Sequence, residues 1–290
     1  MDCGQLVLGT AQLGTDYGIA YKSKKISFKE FQSIMYIARN AGVNSIDTAM
    51  TYGDSHKVLG MLGVDGWSIT TKLPSVPDDI ISIKEWYMDA IASSLRELKI
   101  KKIETLLIHD VKELSGRFGA ELIRLLNSSK IKGDVTNIGV SIYTPEELDV
   151  FYHNFQPDIV QCPFNIFDQR ICSSGWLQKL NDDDVEVHAR SIFLQGLILR
   201  DISELNSYFE PWLSDFKKWE SYCSDYNISK LQAALGFVKA ENRIKKIIVG
   251  IENCNQLKEI LEAYQAHTNE VFNGPREDKA LLNPLMWKII

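Results

Sequence analysis

The sequence predicts a single-domain (β/α)8 barrel, and two observations lead there. Short runs rich in Ile, Val and Leu alternate with longer segments of helical period almost to the end of the chain, the pattern of repeated βα units. Eight such runs can be read, the number that closes a parallel barrel. The 290 residues could make two average domains, but α/β barrels also run to this length as one unit, so length admits the barrel without requiring it.

The first strand is expected at Leu6–Gly9, and Ser27-Phe28-Lys29-Glu30 then reads as a capping box that opens the first long helix. Ser45–Asp47 is the second strand, followed by a short helix opened by Asp54 or Ser55 and running to Leu62. The third strand, Ser68–Lys72, leads to helical spacing from Ile83 to Leu98, and the fourth is Ile103–His109. After the fifth, Asn137–Ser141, Thr144-Pro145-Glu146-Glu147 reads as a second capping box with Pro at the first helical position. Ile159–Pro163 and Glu186–Arg190 are the sixth and seventh strands. The eighth, Lys246–Val249, lies between helices capped by Ser229, to Ala240, and by Asn253, to Tyr264.

Leu197 to Asn227 is longer than an ordinary βα connection and carries Tyr208-Phe209, Trp212, Phe216 and Trp219, so it is read as a partly helical insertion after the seventh strand. The barrel occupies about residues 5–265 and a C-terminal tail about 266–290; the tail, with Pro275, Pro284 and an apolar Leu281–Leu285 stretch, either covers the barrel mouth or docks on the surface. A doubly wound open sheet also has parallel strands. It usually carries G-x-G-x-x-G after the first strand, and Gly9-Thr10-Ala11-Gln12-Leu13-Gly14 has its glycines in another spacing.

Hydrophobic residues at 45% and charged residues at 24% are ordinary globular values and exclude a mainly disordered chain. The net charge of -6, with no long Lys/Arg cluster, makes nucleic acid an unexpected partner. Five scattered cysteines without a C-x-x-C pair indicate neither a disulfide framework nor a zinc site. Met1-Asp2-Cys3-Gly4-Gln5 lacks a signal-peptide pattern, and no apolar run approaches the ~20 residues of a membrane span. A cytoplasmic, unprocessed protein without membrane contact is the expectation.

Active sites of βα barrels lie at the carboxyl ends of the strands, where polar residues stand out from a core-filling background. Asp47 closes the second strand, Tyr52 follows in its loop, Lys72 ends the third strand and His109 the fourth. Neighbouring strands bring these together over one mouth. Such a set suits proton donation by the tyrosine. An adjacent ammonium favours phenolate and is expected to bring the Tyr52 pKa down from about 10, while Asp47 keeps Lys72 charged and His109 donates to a substrate oxygen. No side chain donates hydride, so the same chemistry requires a cofactor. Singly, each residue has an ordinary reading: a packed aromatic, an ion pair, a loop histidine. Their ordered conjunction favours the chemical one.

The run Ser45-Ile46-Asp47-Thr48-Ala49-Met50-Thr51-Tyr52-Gly53, followed by Thr71-Lys72 and Ile108-His109-Asp110, resembles the catalytic tetrad of the aldo-keto reductases in order and approximate spacing. Leu8-Gly9-Thr10, Gly139-Val140-Ser141, Val160-Gln161 through Asn165 and Ser191 to Leu197 extend the resemblance from about Leu6 to Tyr264. It implies an eight-stranded barrel that reduces an aldehyde or ketone with a nicotinamide cofactor held without a Rossmann motif. It also implies Tyr52 as general acid, Lys72 and Asp47 as its tuning pair, and His109 as the group that orients the carbonyl. Ser141 and Gln161 would hold the carboxamide, with Gly9, Thr10 and Asp47 beside them. Arg190, Ser191, Phe193, Gln195 and Gly196 would follow the nicotinamide and pyrophosphate, and Gly250, Glu252, Asn253, Gln256 and Glu259 the adenosine end.

The chain departs from the family pattern at three places. Arg190 stands where many members stack a tyrosine on the nicotinamide, and its charge is expected to disfavour an oxidised, cationic ring. Ile142 replaces a frequent Asn. The Lys and Arg that often bind a 2′-phosphate are replaced by Gly250 and Gln256, with Glu252 between them, so NADPH is the family expectation and NADH the alternative. Leu8 to Gly18 and the seventh-strand loop resemble reductases associated with sugar biosynthesis, which implies a sugar-related carbonyl substrate.

Two rival functions are weighed against reduction: a cofactor-binding regulatory barrel with little turnover, motivated by Arg190, and a metal-dependent hydrolase. The second lacks a ligand cluster, since His56, His153 and His188 have no ligand spacing and Asn181-Asp182-Asp183-Asp184 lacks the alternation of a calcium loop. Cys162 reads as a core residue.

Overall fold

A computed structural model of the chain describes residues 3–14, 25–266, 272, 274 and 276–287. Among these, eight strands close a barrel in sequence order: β1 Leu6–Gly9, β2 Ser45–Asp47, β3 Ser68–Leu73, β4 Ile103–Ile108, β5 Val135–Ser141, β6 Ile159–Pro163, β7 Glu186–Arg190 and β8 Ile244–Gly250. Every pair is parallel, and the last closes β8 on β1. The helices are α1 Ala11–Gly14, α2 Phe28–Asn40, α3 Ser55–Leu62, α4 Ile83–Leu98, α5 Gly119–Lys132, α6 Glu146–Phe151, α7 Arg170–Ser173, α8 Trp176–Asp182, α9 Leu213–Asp225, α10 Lys230–Ala240, α11 Cys254–Gln265 and α12 Lys279–Leu282.

Helices cover the outside of the barrel, so its strands are buried and read as short apolar runs of Val, Ile and Leu. The register aligns the carboxyl ends that matter: Gly9 pairs with Asp47 and with Gly250, Ser141 with Gln161, and Pro163 with Arg190. One face of the barrel therefore gathers residues far apart in sequence. His109 lies one residue beyond β4 rather than inside it, and β5 and β8 begin two residues earlier than the apolar runs suggest, because Val135 and Ile244 join the ladders.

Side-chain caps fix the starts of α2, α4, α10, α11 and α12. Ser229 and Gln232 form a complete capping box at α10, and Asn253 accepts from Asn255 and Gln256 N–H at α11. The other two boxes are half-formed. Ser27 accepts from Glu30 N–H, but the Glu30 carboxylate reaches across to Cys254 N–H at 2.7 Å and so ties α2 to α11. Glu147 accepts from Thr144 N–H at 3.3 Å, while the Thr144 side chain caps nothing at α6, whose N-cap is Pro145. Asp54 precedes α3 without capping it.

The insertion after β7 winds through 3-10 turns at Leu197–Leu199, Ile202–Glu204 and Ser207–Trp212 before α9. The described part of the tail docks on this insertion: Tyr208 Oη donates to Ala280 C=O at 3.0 Å, Trp212 Nε1 to Asp278 at 3.1 Å, and Arg276 pairs with Asp215. Trp287 meets Phe209 edge-on at 5.1 Å. The segments read at Met1–Gln5, Leu8–Gly18 and 266–290 lie in part outside the described residues.

Candidate active site

Lys72 is 1% exposed and Asp47 4%, and each holds the other. Lys72 Nζ donates to Asp47 Oδ1 at 2.6 Å and to Thr48 C=O at 2.9 Å, and Gln161 Nε2 donates to Asp47 Oδ2 at 2.7 Å. A buried ion pair of this kind persists when its remaining polar atoms are also satisfied, as they are here for both carboxylate oxygens. Lys72 Nζ lies 5.3 Å from the centre of the Tyr52 ring, and His109 meets that ring edge-on at 6.1 Å. The four residues read from the strand ends are thus brought together.

The expected depression of the Tyr52 pKa is corrected by the structure. Burial, and then the Asp47 charge, push the phenol above its ordinary value, against an opposing pull from Arg190. The Lys72 ammonium sits 2.6 Å from the Asp47 carboxylate, whose charge opposes its pull on the ring. Tyr52 therefore keeps its proton at neutral pH, the state required of a donor.

His109 is pushed down to about 4 by burial first and by Lys72 and Arg190 next, so its ring is neutral near pH 7. Its Nδ1 lies 3.3 Å from the Thr51 hydroxyl. When Thr51 donates, the ring proton resides on Nε2. His56, beneath the site and 2.9 Å from the Thr71 hydroxyl, is also pushed down to about 4, by burial and by Lys72.

The loop that carries Tyr52 is held by two devices. Thr10 donates to Asp47 C=O at 3.0 Å and accepts from Ser55 at 3.0 Å, and Ser55 lies 3.0 Å from the Thr48 hydroxyl, a buried chain that joins the loops after β1 and β2. Gly14 packs directly on the same loop: a Cβ there would stand 1.6 Å from the Tyr52 carbonyl oxygen. Gly14→Ala is expected to move Tyr52, cost about 1–3 kcal/mol of stability and lower kcat at least about tenfold, measured by thermal melting and steady-state kinetics.

The site opens into a cavity of about 460 Å³. It runs from Tyr52, Lys72 and His109 past Ser141, Gln161 and Arg190, along the loop Ser191–Gly196, to Gly250, Glu252, Gln256 and Glu259; Gly9 and Thr10 also line it. The loop takes left-handed backbone at Ser191, Leu194, Gln195 and Gly196, a costly conformation for the first three. It is folded on itself by Leu194 N–H to Ser191 C=O and Gly196 N–H to Phe193 C=O, and anchored by Asn165 Nδ2 to Ser191 C=O at 3.0 Å.

A sequence profile of the Aldo/keto reductase family matches residues 5–273. The chain belongs to the aldo/keto reductase family. It is 25% identical to the oxidoreductase YqkF of Bacillus subtilis over 92% of this chain and 89% of that protein. It is 21% identical to D-arabinose 1-dehydrogenase of Saccharomyces cerevisiae, over 90% and 82%. Among solved structures, aldo-keto reductase AKR11C1 from Bacillus halodurans in its holo form superposes with a TM-score of 0.73 at 18% identity, covering 92% of this chain and 88% of that one. The glycerol dehydrogenase AKR11B4 from Gluconobacter oxydans does so with a TM-score of 0.70 at 20% identity, over 91% and 88%. As an aldo/keto reductase, the protein is an oxidoreductase of small-molecule carbonyl chemistry. No helix among the described residues is long and apolar enough to cross a membrane, and no cluster of His, Cys, Asp and Glu there could hold a metal ion.

Of the aldo/keto reductase positions carried onto this chain, Asn253 alone does not line the cavity; its side chain caps α11. Gln161 lines it with its amide nitrogen engaged by Asp47. Arg190 stacks on Tyr143 at 4.5 Å, donates to Ile142 C=O at 2.9 Å and to Ser191 Oγ at 3.2 Å, and has a buried Nε without a hydrogen-bond partner. Sequence reasoning missed Tyr143 and Gln12, both just past strand ends and thus findable by the barrel rule, and Leu231 and Ile260, which nothing in the sequence separates from ordinary core.

The two depressed histidines make a pH signature. Unfolded imidazoles titrate near 6.5, whereas His56 and His109 do so at about 4, so between these values the folded chain binds fewer protons. Their contribution is full above pH ~6.5 and is lost as pH falls toward about 4. Melting temperature is expected to drop across that window on acidification, and His56→Gln to flatten the slope; an unchanged slope would assign it elsewhere.

Proposed function

We propose that the protein reduces an aldehyde or ketone to the alcohol at Tyr52, with a nicotinamide dinucleotide lying in the cavity. The observation that carries this reading is the closed Asp47–Lys72 pair beside Tyr52 and His109 in a cavity that also reaches Ser141, Gln161, the loop Ser191–Gly196 and Gly250. The chain fits such a cofactor at three places: Ser141 and Gln161 side by side at the ends of β5 and β6, the left-handed loop Ser191–Gly196, and the exposed Gly250 at the end of β8. When bound, the nicotinamide supplies the hydride.

The chain's own residues do the rest. His109, neutral near pH 7, donates an N–H to the carbonyl oxygen and fixes its orientation. Tyr52 delivers its proton to the same oxygen as negative charge develops there. Lys72 and Asp47 set the electrostatics around that phenol, and Thr51 orients the imidazole. A phenol held above its ordinary value suits the reductive direction at neutral pH, because alcohol oxidation needs the phenolate.

The family expectation for the carrier is NADPH, with NADH the alternative. A sugar-related carbonyl compound is the proposed substrate class, supported by the names of two similar proteins, D-arabinose 1-dehydrogenase and a glycerol dehydrogenase. Purified protein mixed with reduced cofactor and a panel of aldoses, ketoses and simple aldehydes should consume the near-ultraviolet absorbance of reduced nicotinamide. Cofactor binding without turnover on any member would favour a regulatory barrel instead.

A further inference from the structure

The end of the cavity opposite Tyr52 lies where β8 passes the chain to α11. The start of an α-helix is a ready anion site when its first N–H groups are left open. Here they are closed by the chain itself. Cys254 N–H donates to the Glu30 carboxylate at 2.7 Å, Asn255 and Gln256 N–H to Asn253 Oδ1 at 3.0 Å each, and Leu257 N–H to Asn253 C=O at 3.2 Å. Just before the helix, Glu252 N–H donates to Gln256 Oε1 at 2.9 Å.

Among the described residues, the charged side chains that line this end of the cavity are carboxylates, and Lys258, whose charge reaches Cys254, is not among the lining residues. Glu252 and Glu259 line the cavity, Glu259 following Gln256 by one helical turn on the same face of α11. Glu30 adds a third carboxylate at the helix start, held below the usual carboxylate range by the Cys254 N–H. The Lys and Arg side chains that line the cavity among the described residues, Lys72 and Arg190, are at the other end, where both act on His109.

We infer that the protein takes NADH in preference to NADPH, with Glu252 and the closed start of α11 as the discriminating features. The inference rests on the reading of the cavity as a dinucleotide groove with its hydride end at Tyr52. A 2′-phosphate, carrying close to two negative charges, would meet the Glu252 and Glu259 carboxylates and, at the start of α11, backbone N–H groups already taken. An unmodified ribose brings two hydroxyl donors, which carboxylates accept.

Equilibrium titration of the full chain with NADH and with NADPH, followed by calorimetry or nicotinamide fluorescence, tests this without turnover. The NADPH Kd should exceed the NADH Kd by about tenfold or more, and Glu252→Ala should narrow that ratio at least about threefold, chiefly by tightening NADPH. Equal or tighter NADPH binding overturns the inference and leaves the dinucleotide groove standing, as does a ratio unmoved by Glu252→Ala. Binding of neither nucleotide overturns the groove itself.

Discussion

Tyr52→Phe should reduce kcat about 10²–10⁴-fold, the range expected when a positioned general acid is removed. The substitution keeps the ring against which His109 packs edge-on and removes only the oxygen that carries the proton. Cofactor Kd should stay within a factor of about three, because the lost interaction is one made in the transition state and not in the ground state. The pH profile adds a second reading. Tyr52 sits above its ordinary pKa through burial and Asp47, so reduction by the parent enzyme should persist well into the alkaline range. A Tyr52→Phe enzyme that kept parental kcat would remove the phenol from the mechanism.

Lys72→Met should be the most damaging single change, to stability as well as to rate. The ammonium is buried and is the only charged partner of Asp47 given by the described contacts; its removal leaves a carboxylate that is 4% exposed with Gln161 as its remaining donor. Stranding one member of a buried pair costs about 3–5 kcal/mol, or roughly 5–8 °C in melting temperature for a chain of this size. The double variant Lys72→Met/Asp47→Asn should recover much of that stability because it removes the stranded charge, yet it should stay inactive. This split separates the pair's structural role from its chemical one. If Lys72→Met melts with the parent and turns over at parental rate, the pair has neither role.

The strand ends were legible because a barrel exposes its carboxyl ends to one mouth: Asp47, Lys72 and His109 are polar residues closing apolar runs, and period and position alone single them out. The Ser229 box was legible for a different reason, since both of its hydrogen bonds close within four residues. Long-range partners left no such trace. The Glu30 carboxylate belongs to Cys254, 224 positions away, although the local pattern assigns it to Ser27. The Thr10–Ser55–Thr48 chain and the seat of Gly14 on the Tyr52 loop likewise depend on how two loops meet in space.

The state of Tyr52 was misread on the same ground. Sequence places an ammonium beside the phenol and pairs it with Asp47, as found at 2.6 Å, but does not show how deeply the ring is buried, the largest cause of its upward shift. Asn253 carried two readings, helix cap and ligand contact, and the structure shows the first, its side chain accepting from Asn255 and Gln256 N–H at the start of α11.

Hydride and proton are expected to meet at the Tyr52 end of the cavity. With nicotinamide cofactor deuterated on the transferred position and an aldehyde the enzyme consumes, mass spectrometry of the alcohol is the direct measurement. The predicted result is one deuterium on the former carbonyl carbon, formed by the parent enzyme and lost with turnover in Tyr52→Phe. An alcohol formed without the label, or labelled equally fast by the variant, would contradict it.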